Sequence, residues 1–387
     1  MLFVLIGITF SYAMFQGGFV SWFLFYSFLP FALYGLLLAI YSVKGWKVVR
    51  LIEKHEYNAK ETMKVELELT RNTYFPLFYM LVEDSLSLSL TEEMSEKKLL
   101  LPAFKRQMKF HYVLKELPRG EHIFYHTKIK IGDPLGLMEK EVAIANVEKI
   151  VVYPTYEEMI YKPFENHYDQ GMTTSKERVQ RDTTMAVGIR EYQPGDRFSW
   201  INWKASAKRN NMMTKEFEQR QSHDIMIVMD GQENPRFEAI VSFTATLIRA
   251  ILKKGAQVGL LSFAEEKITF PVRGGESQQQ LLFYHLAKVK QDSRVSLAQL
   301  IENEKSALHQ SATLMLVTAN LSKELVEKTS YLASKKFHIC IFLIKDAKEM
   351  LTDKERQLRA ALSSRGIRVV PVSTGRFQDA FSEVKTG

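Results

Sequence analysis

No charged residue occurs between Met1 and Val43; the first is Lys44. Gln16-Gly17-Gly18 breaks this apolar run into two segments, about Leu2–Phe15 and about Phe19–Val43. At 1.5 Å per residue, the second reaches the roughly 30 Å of a bilayer's hydrocarbon. The first falls short unless its ends snorkel or the bilayer thins. The run is too long for one signal-peptide core, and no basic segment precedes it. The pattern predicts a transmembrane helical hairpin over residues 1–45, kinked at Pro30. Lys44, Lys47, Arg50 and Lys54 follow at once. The positive-inside rule then puts this end, and with it the bulk of the chain, on the cytoplasmic side of the cell membrane.

Between Glu56 and Pro154 the hydrophobic period falls to two. Thr62–Thr70 alternates Met63, Val65, Leu67 and Leu69 with polar residues, the pattern of a half-buried strand. Leu77–Glu83, Lys109–Glu116, His122–Ile131 and Val147–Tyr153 read as further strands. Pro118-Arg119-Gly120-Glu121 reads as a hairpin turn between two of them, and Gly132–Leu137 as a second dense turn. Residues 46–155 are expected to form an antiparallel β-sandwich-like middle domain. His122 and His126 share a strand face but lie about 13 Å apart at strand rise, too far for one metal ion. With His111 they read as surface or packing histidines.

Residues 156–222 form a polar, turn-rich connector. Asp196 reads as the N-cap of a helix over Arg197–Asn210, with Asn210-Asn211 at its exit. Trp200, Trp203 and Ala207 fall on one face of that helix, and Arg197, Lys204 and Lys208 on an adjoining one. The face is either a docking surface for the next domain or an interaction surface for a partner.

From Asp224 strands and helices alternate. Ile225–Met229, Val258–Phe263, Leu314–Thr318, Ile339–Ile344 and Ile367–Val372 are apolar runs, with a shorter strand at Ile268–Val272. Runs rather than alternation mean a sheet covered on both faces. Residues 223–387 are therefore expected to form a doubly wound parallel α/β domain, in which ligands sit at the carboxyl ends of the strands.

Composition narrows the function more than the fold. The 387 residues carry 52 Lys+Arg against 44 Asp+Glu, a net charge of +8. That modest, scattered excess suits an anionic lipid surface or an acidic partner. A nucleic-acid surface built on Arg197, Lys204, Lys208 and Arg209 ranks last, because Glu191, Asp196, Glu216 and Glu218 interrupt it. Cys340 is the single cysteine, which excludes an internal disulfide framework and a multi-cysteine metal site. The chain has no phosphate-binding glycine loop, no nucleophile elbow and no HExxH helix.

Arg190-Glu191-Tyr192-Gln193-Pro194-Gly195-Asp196, then Ile201-Asn202-Trp203 and Ser206-Ala207-Lys208, resemble the core motif of the bacterial "domain of unknown function 58" family. Gly132–Leu137 with Val152-Tyr153-Pro154 resembles that family's β region, and the two apolar segments its usual architecture. The resemblance implies a C-terminal von Willebrand factor A-like domain headed by the strand that ends at Asp230. It also implies association with a MoxR-type AAA+ ATPase, and often with transglutaminase-like membrane proteins. Ser199, Asn202 and Lys208 depart from the family pattern, so no acid–base chemistry is carried over. The interaction motif is assigned to Arg190, Tyr192, Gly195, Asp196, Trp203, Lys204 and Lys208, with Arg190 and Asp196 as a structural pair or as interface groups. A von Willebrand A site holds Mg²⁺ with Asp-x-Ser-x-Ser, a Thr and an Asp. Here Gln232 and Asn234 replace both serines, and Thr318-Ala319-Asn320 brings no Asp. The resemblance therefore implies a degenerate site with Asp230, Asn234 and Asn320 as its remaining oxygens, and no cofactor.

The leading expectation is a membrane-anchored, non-catalytic adaptor. The alternative is an envelope enzyme whose active site lies at the strand ends, with Asp230, Glu233 and Glu265 as its carboxylates.

Overall fold

The computed structural model describes residues 2–87, 93–163, 186–193, 196, 198–217, 224–263, 267–293, 295–303, 313–335, 337–347 and 349–381. The chain divides into two units. The first is Met1–Thr155 with the short stretch Tyr284–Lys288; the second is Tyr156–Phe283 with Val289–Gly387.

The first unit opens with α1 (Leu2–Gln16) and α2 (Phe19–Ile40). Gly17, at φ +62°, makes the turn between them, a left-handed conformation that favours glycine. The residues buried in this pair are mostly small: Ala13, Ser21, Ala32 and Gly35, together with Leu2 and Leu38. Small residues let apolar helices approach closely. Among the described residues only α2 is long and apolar enough to cross a membrane. α1, with 15 residues, spans about 22 Å.

Eight strands follow: β1 (Trp46–Ile52), β2 (Glu56–Asn58), β3 (Met63–Arg71), β4 (Tyr79–Ser87), β5 (Glu93–Leu100), β6 (Gln107–Leu114), β7 (Gly120–Gly132) and β8 (Glu139–Tyr153). They form a three-stranded sheet, β1-β3-β6, and a five-stranded sheet, β2-β8-β7-β4-β5. All pairings are antiparallel except β2 with β8. The two sheets share one interior. Leu67, Leu69 and Phe110 of the smaller sheet pack in a cluster with Met80, Val82, Ile129 and Ile131 of the larger. The turn at Pro118–Glu121 therefore carries the chain from one sheet to the other. It is not the hairpin expected, because β6 and β7 do not pair. Gly132–Leu137 does close the β7–β8 hairpin. There the buried Asp133 carboxylate accepts the backbone N–H groups of Met138 and Leu135.

Arg50 departs from its expected place. The positive-inside reading counted it among the exposed charges after the apolar run. The structure buries its side chain completely, between the sheets, in a bidentate pair with Asp84 at 2.6 and 3.0 Å. Asp84 also accepts from Tyr112 Oη at 2.5 Å and Thr127 Oγ1 at 2.9 Å. Arg50 donates further to the Asn146 carbonyl and lies 4.2 Å over the Phe124 ring. Burial, followed by the Asp84 carboxylate, pushes the Tyr112 hydroxyl far above its ordinary pKa, so it stays a donor.

The second unit begins with an antiparallel ribbon, β9 (Ala186–Glu191) and β10 (Met213–Phe217), joined through a short helix, α3 (Trp203–Arg209). β11 (Asp224–Met229), α4 (Phe237–Lys253), β12 (Gln257–Phe263), β13 (Lys267–Arg273), α5 (Glu276–Lys288), α6 (Leu297–Asn303), β14 (Thr313–Thr318), α7 (Lys323–Ser334), β15 (Ile339–Lys345), α8 (Asp353–Ser363) and β16 (Arg368–Ser373) follow. The sheet order is β13-β12-β11-β14-β15-β16. β12, β11, β14, β15 and β16 run parallel, as their apolar runs predict. β13 is antiparallel, which corrects the all-parallel expectation. Only residues 264–266 separate it from β12, and a parallel crossover needs a dozen residues or more.

The Arg50–Asp84 pair yields a direct prediction. Asp84→Ala strips the buried guanidinium of its bidentate partner, leaving Glu148 at 3.7 Å as its remaining carboxylate, and is expected to cost about 3–5 kcal/mol. Tyr112→Phe removes one hydrogen bond and is expected to cost about 1–2 kcal/mol. Denaturant unfolding of the detergent-solubilised chain measures both; equal, small losses would show that the pair does not hold the sheets together.

Candidate functional site

In the β9–β10 ribbon, the first half of the interaction motif closes on itself. The Arg190 guanidinium donates to Asp196 Oδ1 at 2.7 Å and to the Glu191 carbonyl at 3.0 Å. Asp196 Oδ2 accepts the Gln193 N–H, and the Asp196 N–H returns to the Gln193 carbonyl. The aspartate thus fixes a turn and a guanidinium. It does not cap the expected helix over Arg197–Asn210. The helix starts six residues later, because Asn202 supplies the cap: its Oδ1 accepts the Ala205 N–H at 3.1 Å. Trp200 lies in a separate 3-10 turn, Phe198–Trp200, and does not share the face of Trp203. Asn210, left-handed at φ 55°, ends α3 where the sequence places its exit.

α3 is short but held firmly. Ser206 Oγ donates to the Asn202 carbonyl and accepts the Met213 N–H, both at 2.9 Å. The Asn202 N–H donates to the Met213 carbonyl, and Ile201 bridges Thr214. On this clamped backbone Trp203 remains 66% exposed and Phe198 71% exposed. The Tyr192 ring stacks on Phe198 at 6.2 Å. Ile189 and Met212 are also exposed, as are Lys204, Lys208 and Arg209. Phe198, Ile189 and Met212 escaped sequence reasoning, although three apolar side chains in so polar a connector were a usable signal. Gly195, and the flanking Arg197, lie outside the described residues.

The second group of candidates sits at the carboxyl edge of the α/β sheet. β12 and β14 flank β11, so the topological switch point, where such folds bind ligands, falls beside Asp230. Asp230 is buried. Its Oδ2 accepts from Thr318 Oγ1 at 2.7 Å and its Oδ1 from the Gln232 N–H at 3.1 Å. Burial raises its carboxyl pKa, and these two hydrogen bonds only partly offset that. Thr318 in turn accepts the Asn320 N–H. Gly231 is required here, since a Cβ would lie 2.1 Å from the Phe263 carbonyl oxygen.

Asn234 spends its side-chain oxygen on the Arg236 N–H at 2.8 Å, and Asn320 is exposed. Among the described residues no three His, Cys, Asp or Glu side chains gather as a metal site. The donor set does not fit the octahedral Mg²⁺ of a von Willebrand A site: it has one carboxylate, both of whose oxygens are engaged. Glu233 is exposed, and Glu265 lies outside the described residues.

An ionic cluster that the sequence did not reveal occupies the neighbouring edge. Arg236 pairs with Asp346 at 3.0 Å and Glu349 at 2.5 Å. Lys345, nearly buried, pairs with Glu349 at 3.2 Å and Glu355 at 2.6 Å. Its ammonium is the leading cause holding Glu349 below the usual carboxylate range. Glu355 starts the α8 capping box with Thr352. The cluster thus ties the loop before α4 to the end of β15 and the start of α8.

Comparison with known proteins follows the same lines. Residues 188–384, from β9 to beyond β16, match the family described as "Protein of unknown function DUF58". "Uncharacterized protein YeaD" of Bacillus subtilis (strain 168) is 36% identical over 374 residues, covering 95% of this chain and 93% of that protein. The chain belongs to the DUF58 family. Likenesses to solved structures are slight. The sporulation control protein Spo0M of Bacillus subtilis overlaps 28% of this chain and 50% of its own, at 14% identity and a TM-score of 0.18. A β-galactosidase structure from Bacteroides fragilis overlaps 85% of this chain and 38% of its own, at 11% identity and a TM-score of 0.19. Neither carries an argument about this family member.

The raised Asp230 carboxyl has a testable sign. Its folded pKa exceeds its unfolded one, so its charge costs stability. That cost is absent below the ordinary carboxyl range and complete above the raised value. Asp230→Asn can still accept from Gln232 and donate to Thr318. It is expected to be at least as stable as the parent at neutral pH and to lose that decline with rising pH. Asp230→Ala strands both partners and is expected to lose about 1–3 kcal/mol. Melting curves across acid to neutral pH measure this, and millimolar MgCl₂ is expected to leave them unchanged. A magnesium-dependent rise in melting temperature would show that a metal binds.

Proposed function

We propose that this DUF58 protein is a membrane-anchored, non-catalytic adaptor that presents a von Willebrand A-like domain to a protein partner. The exposed Trp203 on its clamped helix carries the reading. A large aromatic side chain held in water on a rigid backbone, with Phe198 exposed in the preceding turn and Lys204, Lys208 and Arg209 exposed on the same helix, has the make-up of an interface hot spot. Holding it rigid lowers the entropy that binding must overcome. The basic rim suits an acidic partner surface.

Other features support the remaining parts. The order β13-β12-β11-β14-β15-β16, with an antiparallel edge strand, supports the von Willebrand A-like assignment. The engaged oxygens of Asp230 and the Arg236–Lys345 cluster support a domain that works without a metal or cofactor. The paired α1 and α2 support a transmembrane hairpin, and Lys44 and Lys47 support a cytoplasmic placement of the rest. A MoxR-type AAA+ ATPase is the partner the family resemblance favours, with a transglutaminase-like membrane protein as a second. Nucleic acid is not an expected partner.

One observation favours the envelope-enzyme reading: a buried carboxyl with a raised pKa at a switch point is where an acid catalyst would sit. Against it, both Asp230 oxygens already have partners. Asp230→Asn separates the two readings, since it would abolish catalysis by that group and leave partner capture intact.

The adaptor reading is tested by binding the full chain, in nanodiscs, to a MoxR-type ATPase of the same organism. Trp203→Ala with Phe198→Ala is expected to weaken binding by about thirtyfold or more, the range of a hot spot worth about 2 kcal/mol, with the melting temperature unchanged. Lys208→Glu is expected to slow association and flatten its salt dependence. Binding that ignores all three substitutions, or no binding by the parent chain, would overturn the proposal.

A further inference from the structure

Two loops of the first unit are joined to one another, and one of them lies against the apolar helix α2. Residues 72–78 connect β3 to β4, and residues 101–106 connect β5 to β6. Arg71, which is buried, binds them together: its guanidinium donates to the carbonyls of Phe75 at 2.6 Å, Ala103 at 2.7 Å and Lys105 at 2.8 Å. Leu77 and Ala103 exchange a pair of backbone hydrogen bonds. The loops therefore form one rigid platform. It is fastened to α2 through Tyr34, whose hydroxyl donates to the Pro76 carbonyl at 2.9 Å. The Tyr34 ring stacks on Phe75 and meets Phe78 edge-on at 4.8 Å.

The depth of Tyr34 decides what this platform faces. The 22 residues of α2 measure about 33 Å, against about 30 Å of hydrocarbon. Almost none of the helix is left over to stand clear of the bilayer. Tyr34 precedes the last helical residue, Ile40, by six positions, or about 9 Å along the axis. A loop pressed against Tyr34 is then level with the outer part of the acyl chains. The platform's outward side chains suit that depth. Leu101 is 74% exposed, Phe104 64%, and Tyr74, Phe78 and Leu99 are exposed as well. Exposed cations border them: Lys98 and Lys105, and Arg106, whose guanidinium lies 4.8 Å over the Tyr74 ring. Apolar and aromatic tips with a cationic border are the make-up of a surface that lies in the headgroup region.

We propose that the loops 72–78 and 101–106 form a collar around the end of α2 that is seated in the headgroup–acyl boundary of an anionic membrane. The occupant of this exposed apolar surface is lipid. The proposal rests on the reading of α2 as a membrane span, and its test keeps the two apart.

Single cysteines replace Leu33, Leu101, Phe104 and Lys115 in turn in the full chain, each labelled with a polarity-sensitive fluorophore. Leu33 lies on the exposed side of α2, and Lys115 follows β6 at the opposite end of the sheet. Cys340 is buried, and the unsubstituted chain is the labelling blank. The proteins are reconstituted in vesicles of phosphatidylcholine and phosphatidylglycerol that carry nitroxide-labelled lipid. Labels at Leu33, Leu101 and Phe104 are expected to be quenched at least about threefold more than the label at Lys115, as a seat at the acyl boundary requires. Quenching at Leu33 without quenching at Leu101 and Phe104 would overturn the collar and leave the span standing. Equal quenching at all four sites would overturn it too. No quenching at Leu33 would overturn the span, and the collar with it.

Discussion

The end of α2 is continuous with the interior of the first unit, and this continuity constrains everything around it. Leu38 and Tyr41, at the helix terminus, and Trp46, at the start of β1, belong to the same buried cluster as Leu67, Leu69, Ile129 and Ile131 from both sheets. Lys140 completes the join. Its ammonium donates to the carbonyls of Ala39 and Tyr41, each at 2.6 Å, filling acceptors that a helix leaves open at its last turn and complementing its dipole. A flexible tether would let the β-sheets drift from the apolar helix. Here the helix cannot turn or tilt without repacking the core, so the surface around its end holds a fixed position along the helix axis.

The same economy of polar groups holds at a distance from that join. Arg50 and Asp84 bury a full charge pair between the sheets, and Tyr112 and Thr127 supply the remaining donors. In the α/β unit Asp230 is satisfied by Thr318 and Gln232, while Arg236 and Lys345 consume the carboxylates of Asp346, Glu349 and Glu355. These groups at and near the strand ends hold one another. Trp203 and Phe198, by contrast, stand exposed on the surface of the same unit.

Legibility in the sequence followed burial. β11, β14 and β15 are covered on both faces, so Ile225–Met229, Leu314–Thr318 and Ile339–Ile344 read as unbroken apolar runs and lie where they were expected. β3 shows one face to the core, and its alternation was equally plain. β5 is an edge strand whose described side chains are mostly exposed, and Glu93–Leu100 carries no alternation to read. β1 was hidden by charge: Lys47 and Arg50 looked like a juxtamembrane cluster, and only the fold brings Asp84 to Arg50 across 34 residues. The helix at the connector began late for a similar reason. Asp196 and Asn202 are both good caps by type, and the choice between them turned on Arg190, which captures the aspartate. Motif residues were visible from their pattern. The Arg190–Asp196 pair, six residues apart, was legible with them, whereas Arg50–Asp84 and Arg236–Asp346 were not, because those pairings depend on contacts remote in sequence.

Membrane topology tests the central claim most directly, because an adaptor for a cytosolic ATPase must present its α/β unit to the cytoplasm. A tag placed after Gly387 would be followed through protease treatment of spheroplasts and of lysed membranes. The account predicts that the tag survives in spheroplasts and is lost only on lysis. Removal of the tag from intact spheroplasts would put the α/β unit outside the cell, where no cytosolic ATPase can reach Trp203, and would contradict the account.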